Sequence, residues 1–320
     1  MLESLYLGID IGGTRIKVAI VNSKGVIFEE SVISTDINGK PADILKSIIN
    51  IAKKFKDYSK IKSIGVGIAG DVCFKTGVVR FSPNLKKWRN VKVRDILKGL
   101  TQKKAYVDND ANTASIGAFW LDGKGNSTDL VCITLGTGVG GGLIFDKKLY
   151  RGISGTAGEV GHITIDAYGK KCNCGNRGCI ETFVGAKHLS KFVQDYLKDN
   201  NSKMIDRLAN KNYKLITPHL LSQAAKKGDK VSKEIWKIVG QKLGIFLSII
   251  INFANPDTIV LCGGISHAKE YFMKYIVKEI QNRAFKSATK ACKIIVSEST
   301  HNLGVVGAAM LSRTINKCLD

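Results

Sequence analysis

Metal-binding side chains are concentrated in one short polar segment of this sequence, Gly158–Ile180. Within it, His162 is followed by Cys172, Cys174 and Cys179. Three thiols and an imidazole at this spacing can supply the four ligands of a closed tetrahedral zinc site. A redox or disulfide cluster is the alternative, and the lack of a recognisable secretory signal disfavours it.

Two carboxylates bracket this cysteine cluster. Glu159 lies just before His162, and Glu181 closely follows Cys179. Ionised carboxylates accept hydrogen bonds from hydroxyl groups. A metal-stapled loop with an acidic side chain at each end therefore indicates a frame for a polar substrate rather than a structural zinc finger alone.

Glycine-rich turns follow three of the predicted strands. They are Asp10–Thr14 with Lys17 beyond it, Gly136–Gly141, and Gly263–Gly264. Glycine permits close approach of the backbone, and the N–H groups of such turns can cradle phosphate oxygens. Asp10 ends an apolar strand, where a carboxylate could hold a hydrated Mg²⁺ beside the phosphates. Each turn taken alone fits an ordinary hairpin equally well.

Two segments match the pattern G-x-G-x-x-G, at Gly65–Gly70 and Gly136–Gly141. A dinucleotide-binding turn must open a helix, whereas the residues after both matches are typical of a hairpin. The sequence contains no Walker A motif. A Rossmann dehydrogenase and a P-loop enzyme are both disfavoured.

A second polar cluster follows an apolar strand near the middle of the chain, in Val107–Asn112. Any one of Asp108, Asn109 and Asp110 could cap the helix that comes next. Three polar side chains in a row exceed what a cap requires. An aspartate here could accept a hydroxyl proton as a phosphoryl group arrives, while Asn109 bonds a neighbouring hydroxyl.

Hydrophobic periodicity predicts alternating strands and helices in two successive halves. The first half has predicted strands and two helices, at Leu5–Ile11, Lys17–Val21, Val26–Ile33, Ala42–Phe55 (helix), Ile64–Ala69, Ala105–Val107 and Ala111–Leu121 (helix). The second half shows the same alternation of predicted strands and helices, at Leu130–Leu135, Gly141–Phe145, Val231–Asn252 (helix), Thr258–Leu261, Lys269–Phe285 (helix) and Gly304–Ile315 (helix). Each half begins with a strand hairpin, so we predict an α/β fold that uses one architecture twice.

Composition narrows the class of protein. The longest apolar run, Leu243–Phe253, is much shorter than the roughly 20 residues of a spanning helix, so no membrane association is expected. The formal net charge is +22, mainly from lysines spread over helix faces such as Lys46 and Lys53. Without an aromatic-interleaved basic patch, this charge indicates a solvated surface rather than a nucleic-acid partner.

Taken together, these motifs resemble the ROK family of sugar kinases and repressors, within the actin-like ATPase superfamily. The resemblance covers essentially the whole chain. Its motifs are Asp10–Thr14, Ser82–Leu85 with Trp88, Asn109–Asn112, Leu135–Gly142, Gly158–His162, Cys172–Glu181, Asn255–Pro256 and Gly263–Gly264. The chain departs from the family where Gly117 is followed by Ala118 instead of glutamate. That departure concerns local packing or an oligomer contact and leaves the site residues intact.

The resemblance implies a two-domain, ribonuclease H-like ATPase fold with a zinc-stapled loop. Residues 1–117 would form a smaller N-terminal α/β domain, and residues 118–303 a larger one with the zinc site, the sugar loop and a dimerisation surface. The helix within 304–320 is expected to pack back on the first domain. ATP is expected in the cleft between the domains, whose closure would exclude water.

The resemblance also implies a role for each candidate residue. Asp110 would be the general base that takes the proton of the sugar's primary hydroxyl. The other hydroxyls would be held by Asn84, Asn109, Glu159, His162 and Glu181, with the Gly70 backbone as a further contact. His162, Cys172, Cys174 and Cys179 would bind a structural zinc ion. ATP, with Mg²⁺, would lie on Asp10, Gly12, Gly13, Thr14, Lys17, Gly136, Thr137, Gly138, Gly140, Gly263 and Gly264.

The implied function is ATP-dependent phosphorylation of a hexose at its 6-hydroxyl, with glucose favoured and glycolysis as its setting. Kinases of N-acetylmannosamine, N-acetylglucosamine, mannose or fructose use nearly the same residues, and polyphosphate is an alternative donor. A sugar-responsive repressor is a second hypothesis, disfavoured because Asp10 leaves no room for a preceding DNA-binding module. An actin-like structural ATPase is a third, and it gives no reason for the Glu159, His162 and Glu181 constellation. We expect a cytoplasmic homodimer or homotetramer.

Overall fold

A computed structural model describes residues 3–314 of the chain. The predicted end of the last helix at Ile315 lies outside the described residues. The chain divides into two compact units. The first unit contains the described residues up to Cys132, residues Gly142–Gly158, and the described residues from Ser299 onward. The second unit contains Ile133–Gly141 and Glu159–Glu298. The division into domains at 117 and 303 stays a prediction.

The first unit is built around a five-stranded sheet. Its elements are β1 (Leu5–Ile11), β2 (Arg15–Asn22), β3 (Ile27–Ser34), α1 (Pro41–Ala52), β4 (Ile61–Ile68), β5 (Asp71–Cys73), β6 (Val78–Phe81), β7 (Arg89–Lys92), α2 (Val93–Thr101), β8 (Lys104–Asn109) and α3 (Asp110–Leu121). The strand order is β3-β2-β1-β4-β8. The β1–β2–β3 meander is antiparallel, whereas β4 runs parallel to both β1 and β8.

The parallel register aligns the carboxyl ends of three strands. Asp10 of β1 pairs with Gly67 of β4, and Gly67 pairs with Asp108 of β8. Side chains that follow the carboxyl ends of parallel strands collect at one edge of a sheet, where ligands of α/β folds commonly bind. Two candidate residues that are about a hundred positions apart in the sequence are therefore on one level of the first sheet.

The second sheet repeats this plan. Its elements, with those that follow, are β9 (Leu130–Leu135), β10 (Val139–Phe145), β11 (Lys148–Tyr150), α4 (Glu181–Val184), α5 (Ala186–Tyr196), α6 (Lys203–Leu208), α7 (Pro218–Lys226), α8 (Lys230–Ala254), β12 (Thr258–Cys262), α9 (Lys269–Arg283), α10 (Lys286–Ala291), β13 (Lys293–Val296) and α11 (Leu303–Thr314). The order β11-β10-β9-β12-β13 matches the order of the first sheet, strand for strand. The prediction of one α/β architecture used twice is confirmed.

Several elements were not anticipated from periodicity. The short strands β5, β6 and β7 form a separate three-stranded sheet. The helices α4 to α7 occupy a stretch for which no helix was predicted. These four helices are only four to eleven residues long, which is too short for a helical period to stand out.

One described helix, α8, is long and apolar enough to cross a membrane by length and composition alone. The sequence prediction counted only the uninterrupted run Leu243–Phe253, which lies inside it. Half of the apolar window of α8 is buried within the protein. Its buried side chains include Trp236, which packs against Phe272 of α9 with the ring centroids 6.0 Å apart. This is the environment of a core helix.

The last helix, α11, packs on the first unit through backbone-to-backbone contacts. It lies against β1, β4 and α3. A Cβ atom added at Gly65 of β4 would collide with the carbonyl oxygen of Ala308, and one at Gly117 of α3 would collide with that of Leu303. Glycine is therefore needed where the elements touch. Gly117 and its neighbour Ala118 are buried in this contact, so the departure from the family pattern falls in a packed helix face.

This packing predicts opposite effects for two helical glycines. Gly117→Ala should lower the free energy of unfolding by about 1–3 kcal/mol, because the added methyl overpacks the contact with Leu303. Gly99→Ala in α2 meets nothing within 4 Å and should raise it by up to about 1 kcal/mol through helix propensity. Chemical unfolding of both variants and the unmodified protein measures the effects. A loss of stability at Gly99 equal to that at Gly117 would contradict the packing argument.

Candidate active site and metal centre

The turn after β1 holds the first group of candidate residues. It is closed by a hydrogen bond from Gly12 N to Arg15 O at 3.0 Å, and the Thr35 hydroxyl donates to Gly12 O at 2.8 Å. Asn84 lies directly against Gly13, since a Cβ there would be 3.1 Å from the Asn84 side chain. A predicted nucleotide contact and a predicted sugar contact are thus neighbours within the first unit.

Asp10 has an unusual electrostatic environment. The pKa of its carboxyl is raised from 3.8 to about 7, first by burial and then by the charge of Asp110, while Lys17 opposes both effects. A Cβ at Gly304, in the first turn of α11, would collide with the Asp10 carboxylate. The ammonium of Lys17 donates to Asn302 Oδ1 at 2.5 Å and pairs with Glu30 at 2.9 Å. A bound cation would supply the countercharge that Asp10 lacks in this environment.

Capping of α3 separates the roles of three adjacent polar residues. Asn109 is the cap, since its side-chain oxygen accepts from Ala111 N at 2.8 Å and from Asn112 N at 3.3 Å. Its amide group donates to Gly70 O at 3.0 Å. Asp110 is the first residue of α3, and its Oδ1 accepts from Ala111 N at 3.0 Å, a donor that the Asn109 cap already binds.

Asp108 belongs to the scaffold rather than to the reacting groups. It is 2% exposed, and its Oδ2 accepts from Arg151 Nε and Nη2 at 2.9 and 2.7 Å. Sequence reasoning did not single out Arg151. A buried aspartate at the end of an apolar strand was the available signal, because buried charges are nearly always paired.

The second unit holds the Gly136–Gly141 turn and one of the flanking carboxylates together. Glu181 is the first residue of α4, and its Oε2 accepts a hydrogen bond from Val139 N at 2.8 Å. A Cβ at Gly138 would collide with that carboxylate oxygen. Ala186 N donates to Gly136 O at 3.0 Å. Glu181 therefore contacts the glycine turn as well as closing the cysteine loop. Gly140 lies in β10 rather than in the turn.

The third glycine turn follows β12. Gly263 adopts φ of 94°, and its carbonyl accepts from Ser266 N at 3.0 Å and from the Ser266 hydroxyl at 2.7 Å. Gly264 has nothing within 4 Å of its Cβ position and begins a 3-10 helical turn, Gly264–Ala268. The turn leaves space on one side, as backbone contact with a ligand requires.

The four predicted metal ligands come together. One ligand atom from each of His162, Cys172, Cys174 and Cys179 lies within 4.8 Å of all the others. The distance from Cys172 Sγ to His162 Nδ1 is 3.7 Å, and that from Cys174 Sγ to Cys179 Sγ is also 3.7 Å. A tetrahedral zinc ion with standard bond lengths separates two sulfurs by about 3.8 Å, and a sulfur from a nitrogen by about 3.6 Å. The donor set and its spacing fit zinc.

The disulfide alternative does not fit these distances. A disulfide bond requires sulfurs about 2.05 Å apart, and all cysteines within residues 3–314 are free thiols. Burial, and then the neighbouring thiols of Cys174 and Cys172, raise the pKa of Cys179 to about 12. A divalent cation in the cluster would favour the thiolate forms instead.

The backbone of the cysteine loop is arranged around these ligands. Cys172 N donates to Asn176 O at 2.7 Å, and Gly175 N donates to Cys172 O at 3.0 Å. Cys179 pairs with Thr164 in an isolated bridge, which brings the end of the loop back to the segment that carries His162. The fold of the loop thus places ligands from both of its ends in one cluster.

His162 links the metal cluster to the first flanking carboxylate. Its Nδ1 faces Cys172, while its Nε2 lies 3.9 Å from Glu159 Oε2. The Glu159 side chain is 66% exposed, and that of His162 is 35% exposed. The two ring nitrogens therefore have distinct surroundings, one in the metal cluster and one toward an accessible carboxylate.

Comparison with known proteins identifies the family of this chain. The profile of the ROK family matches residues 6–315. The chain belongs to the ROK family. It is 30% identical over 305 residues to a glucokinase of Thermotoga maritima, covering 95% of this chain and 96% of that protein. It is 32% identical over 307 residues to a xylose repressor of Caldicellulosiruptor bescii, covering 94% of this chain and 76% of that protein.

A solved ROK structure is similar over the same length. The ROK family glucokinase of Streptomyces griseus, in complex with glucose and AMPPNP, has a TM-score of 0.81 and 28% sequence identity. The alignment covers 97% of this chain and 99% of that one. The prediction of an actin-like ROK fold is confirmed. ROK proteins of both classes, kinases and repressors, are therefore relatives of this chain.

The predicted metal centre of this ROK protein can be tested by one substitution. Cys174→Ala should reduce bound zinc from one per chain to near zero, because three ligands cannot complete the closed tetrahedral site. Cys73→Ala, at a thiol outside the cluster, should leave the zinc content unchanged. Elemental analysis of both purified variants gives the answer. One zinc per chain in Cys174→Ala would contradict the ligand assignment.

The high pKa of Asp10 predicts how the stability of the metal-free protein depends on pH. Between about pH 4 and 7 the unfolded chain ionises Asp10 while the folded chain keeps the proton, so stability should fall as pH rises and level off above 7. The loss is on the order of 4 kcal/mol, from about 1.4 kcal/mol per pKa unit.

Asp10→Asn should remove this loss. The variant's stability relative to the unmodified protein should therefore increase from pH 4 to pH 7, as measured by chemical unfolding with a chelator present. Asp199→Asn, at an exposed aspartate, serves as the control. A difference between Asp10→Asn and the unmodified protein that does not change with pH would refute a raised pKa.

Proposed function

We propose that this ROK protein is an ATP-dependent hexose kinase that phosphorylates the primary 6-hydroxyl of its sugar, with glucose as the first candidate. The observation that carries the proposal is the position of Asp110. It begins α3, is not needed as the helix cap, and lies near enough to Asp10 to raise that group's pKa. A base adjacent to a cation-binding carboxylate suits phosphoryl transfer.

The proposed chemistry is a direct transfer. Asp110 accepts the proton of the sugar hydroxyl as its oxygen forms a bond to the γ-phosphorus of ATP. The bond from that phosphorus to the β–γ bridging oxygen breaks, and ADP leaves with the electron pair. Mg²⁺ held through water by Asp10 would neutralise charge on the phosphates.

Other candidate residues have supporting roles in the proposal. Asn109, Asn84, Glu159, His162 and Glu181 bind the remaining sugar hydroxyls. The turns at Gly12–Thr14, Gly136–Gly140 and Gly263–Gly264, with Lys17, bind ATP. Structural zinc on His162 and the three cysteines would keep the loop that carries Glu159 and Glu181 in place. The Glu181 contact with Val139 N supports this assignment, because it joins that loop to a phosphate turn.

The glucose preference rests on the relatives. Both the Thermotoga maritima protein and the Streptomyces griseus structure are glucokinases. Mannose, fructose and N-acetylated hexosamines present the same primary hydroxyl and differ in one substituent or in ring form, and polyphosphate is the alternative phosphoryl donor. A hexose kinase of this kind would act in the cytoplasm, as a homodimer or homotetramer.

A second candidate function is a sugar-responsive regulator. Its support is the xylose repressor of Caldicellulosiruptor bescii, at 32% identity. A regulator would bind sugar without turnover. An ADP-release assay with ATP and Mg²⁺ across glucose, mannose, fructose, N-acetylglucosamine and N-acetylmannosamine separates the two. Turnover on any of them supports the kinase, and sugar binding with no turnover supports the regulator.

Substitution of the proposed base tests the mechanism. Asp110→Asn should lower kcat by about 10²–10⁴-fold, the usual contribution of a general base. Sugar affinity, measured by calorimetry, should change little because the amide keeps the shape of the side chain. The exposed Asp199→Asn should retain full activity. More than a tenth of the normal kcat in Asp110→Asn would remove Asp110 as the base.

A further inference from the structure

Arg151 is the first residue after β11, and its guanidinium is largely buried. The side chain is 19% exposed and that of its partner Asp108 is 2% exposed. Two donors on one edge of the guanidinium converge on Asp108 Oδ2. The other carboxylate oxygen accepts from Asn109 N and from Asn112 Nδ2, both at 2.8 Å. Four donors therefore fix the Asp108 carboxylate, and two of them come from the start of α3 or its cap.

The guanidinium also contacts a second segment. Its Cζ atom lies 3.7 Å from the centroid of the Phe74 ring, a close cation–π stack. Phe74 comes immediately after β5, and Gly70, just before β5, accepts the hydrogen bond from the Asn109 amide. Arg151 and Asn109 thus connect the same two segments, β5 with its flanking residues and the end of β8.

Arg151 lies at the base of an irregular glycine-rich loop, residues 151–158. Gly152, Gly155 and Gly158 all have positive φ. Ile153 is fully exposed, and Ala157 N donates to Arg151 O at 3.0 Å. A loop with this many glycines is conformationally free unless something holds its ends. The chain then continues directly to Glu159.

A buried ion pair is a poor device for stability alone. Removing two charges from water costs about as much as their attraction returns, and apolar replacements often do as well. The paired donors of Arg151 instead fix the orientation of the Asp108 carboxylate, because a guanidinium edge restricts the orientation of the carboxylate that it binds. Asp108, whose carboxylate is oriented in this way, directly precedes Asn109 and Asp110 in the chain.

We infer that Arg151 is a positioning residue for phosphoryl transfer. It joins the end of β8, the Phe74 segment and the base of the 151–158 loop, so that Asn109 and Asp110 keep one orientation while the loop leading to Glu159 keeps one starting point. This inference rests on the proposed kinase function. It assigns to Arg151 no contact with sugar or ATP.

Steady-state kinetics on Arg151→Lys and Arg151→Met test the inference. Arg151→Met should lower kcat by at least about 10-fold and raise the KM for sugar, because small displacements of positioned groups cost this much or more. The KM for ATP should stay within about two-fold of normal. Arg151→Lys keeps the charge but loses the paired donors, so it should recover only part of kcat. Arg283→Met removes an exposed pair with Glu279 on α9 and should match the unmodified protein.

A merely structural role predicts a different pattern. If Arg151 only stabilises the fold, kcat should fall in proportion to the folded fraction, with both KM values unchanged. The double variant Asp108→Asn/Arg151→Gln removes both charges together and leaves no buried unpaired ion. We expect its melting temperature to recover relative to Arg151→Met while kcat stays low. Recovery of both kcat and melting temperature would overturn the positioning role.

The two proposals fail in different ways. If the unmodified protein turns over a sugar and both Arg151 variants keep normal kcat and sugar KM, the positioning role is wrong and the kinase function stands. If the unmodified protein turns over none of the tested sugars, the kinase function is wrong and the positioning role falls with it.

Discussion

Two carboxylates of like charge are brought together in the first unit, and much of the surrounding structure counteracts their repulsion. Asp10 is the penultimate residue of β1, Asp110 follows β8, and β4 lies between these strands. The cost appears in the pKa of Asp10, which burial and Asp110 raise to about 7. Burying two acidic groups together lowers the stability of the folded protein when no cation is bound. A bound cation would offset that cost by supplying countercharge.

Several features limit this cost. Lys17 lowers the pKa of Asp10, and it is itself held by Asn302 and Glu30. Asp110 begins α3, and Asp10 lies beside Gly304 in the first turn of α11, so both acids are near helix N-termini. The close packing of α11 on β4 and α3 stabilises the first unit, and it also places the N-terminal end of α11 near Asp10.

The second unit uses a different means of holding polar groups. Its helices α4 and α5 are short, and the cysteine loop has little regular structure. A tetrahedral metal ion can fix such a loop without a hydrophobic core of its own, because four ligand bonds replace many weak contacts. Nδ1 of His162 faces Cys172 in the cluster, and its Nε2 lies toward Glu159. Glu181 accepts a hydrogen bond from Val139 N in the Gly136–Gly141 turn. The candidate metal cluster and both flanking carboxylates are thus parts of one arrangement.

Features that depend on local chemistry and on periodicity could be predicted from the amino-acid sequence. Strands such as Leu5–Ile11 and Leu130–Leu135 were predicted with their observed bounds, because alternation and apolar runs are local signals. The repeated hairpin predicted one architecture used twice, and the two five-stranded sheets do share one strand order. The cysteine spacing predicted the ligand cluster, since its members are close in the chain. The roles of Asn84, Asp110, Glu159 and the glycine turns stay predictions.

The partners of the buried charges could be identified only from the three-dimensional fold. Asp108, Asn109 and Asp110 are adjacent, and sequence alone could not divide capping and ion pairing among them. The division depends on Arg151, which is 43 residues away along the chain from Asp108. The proximity of Asp10 to Asp110 depends likewise on parallel pairing through β4. Long-range pairing is set by strand order and helix packing, and neither has a period or spacing that a local pattern can reveal.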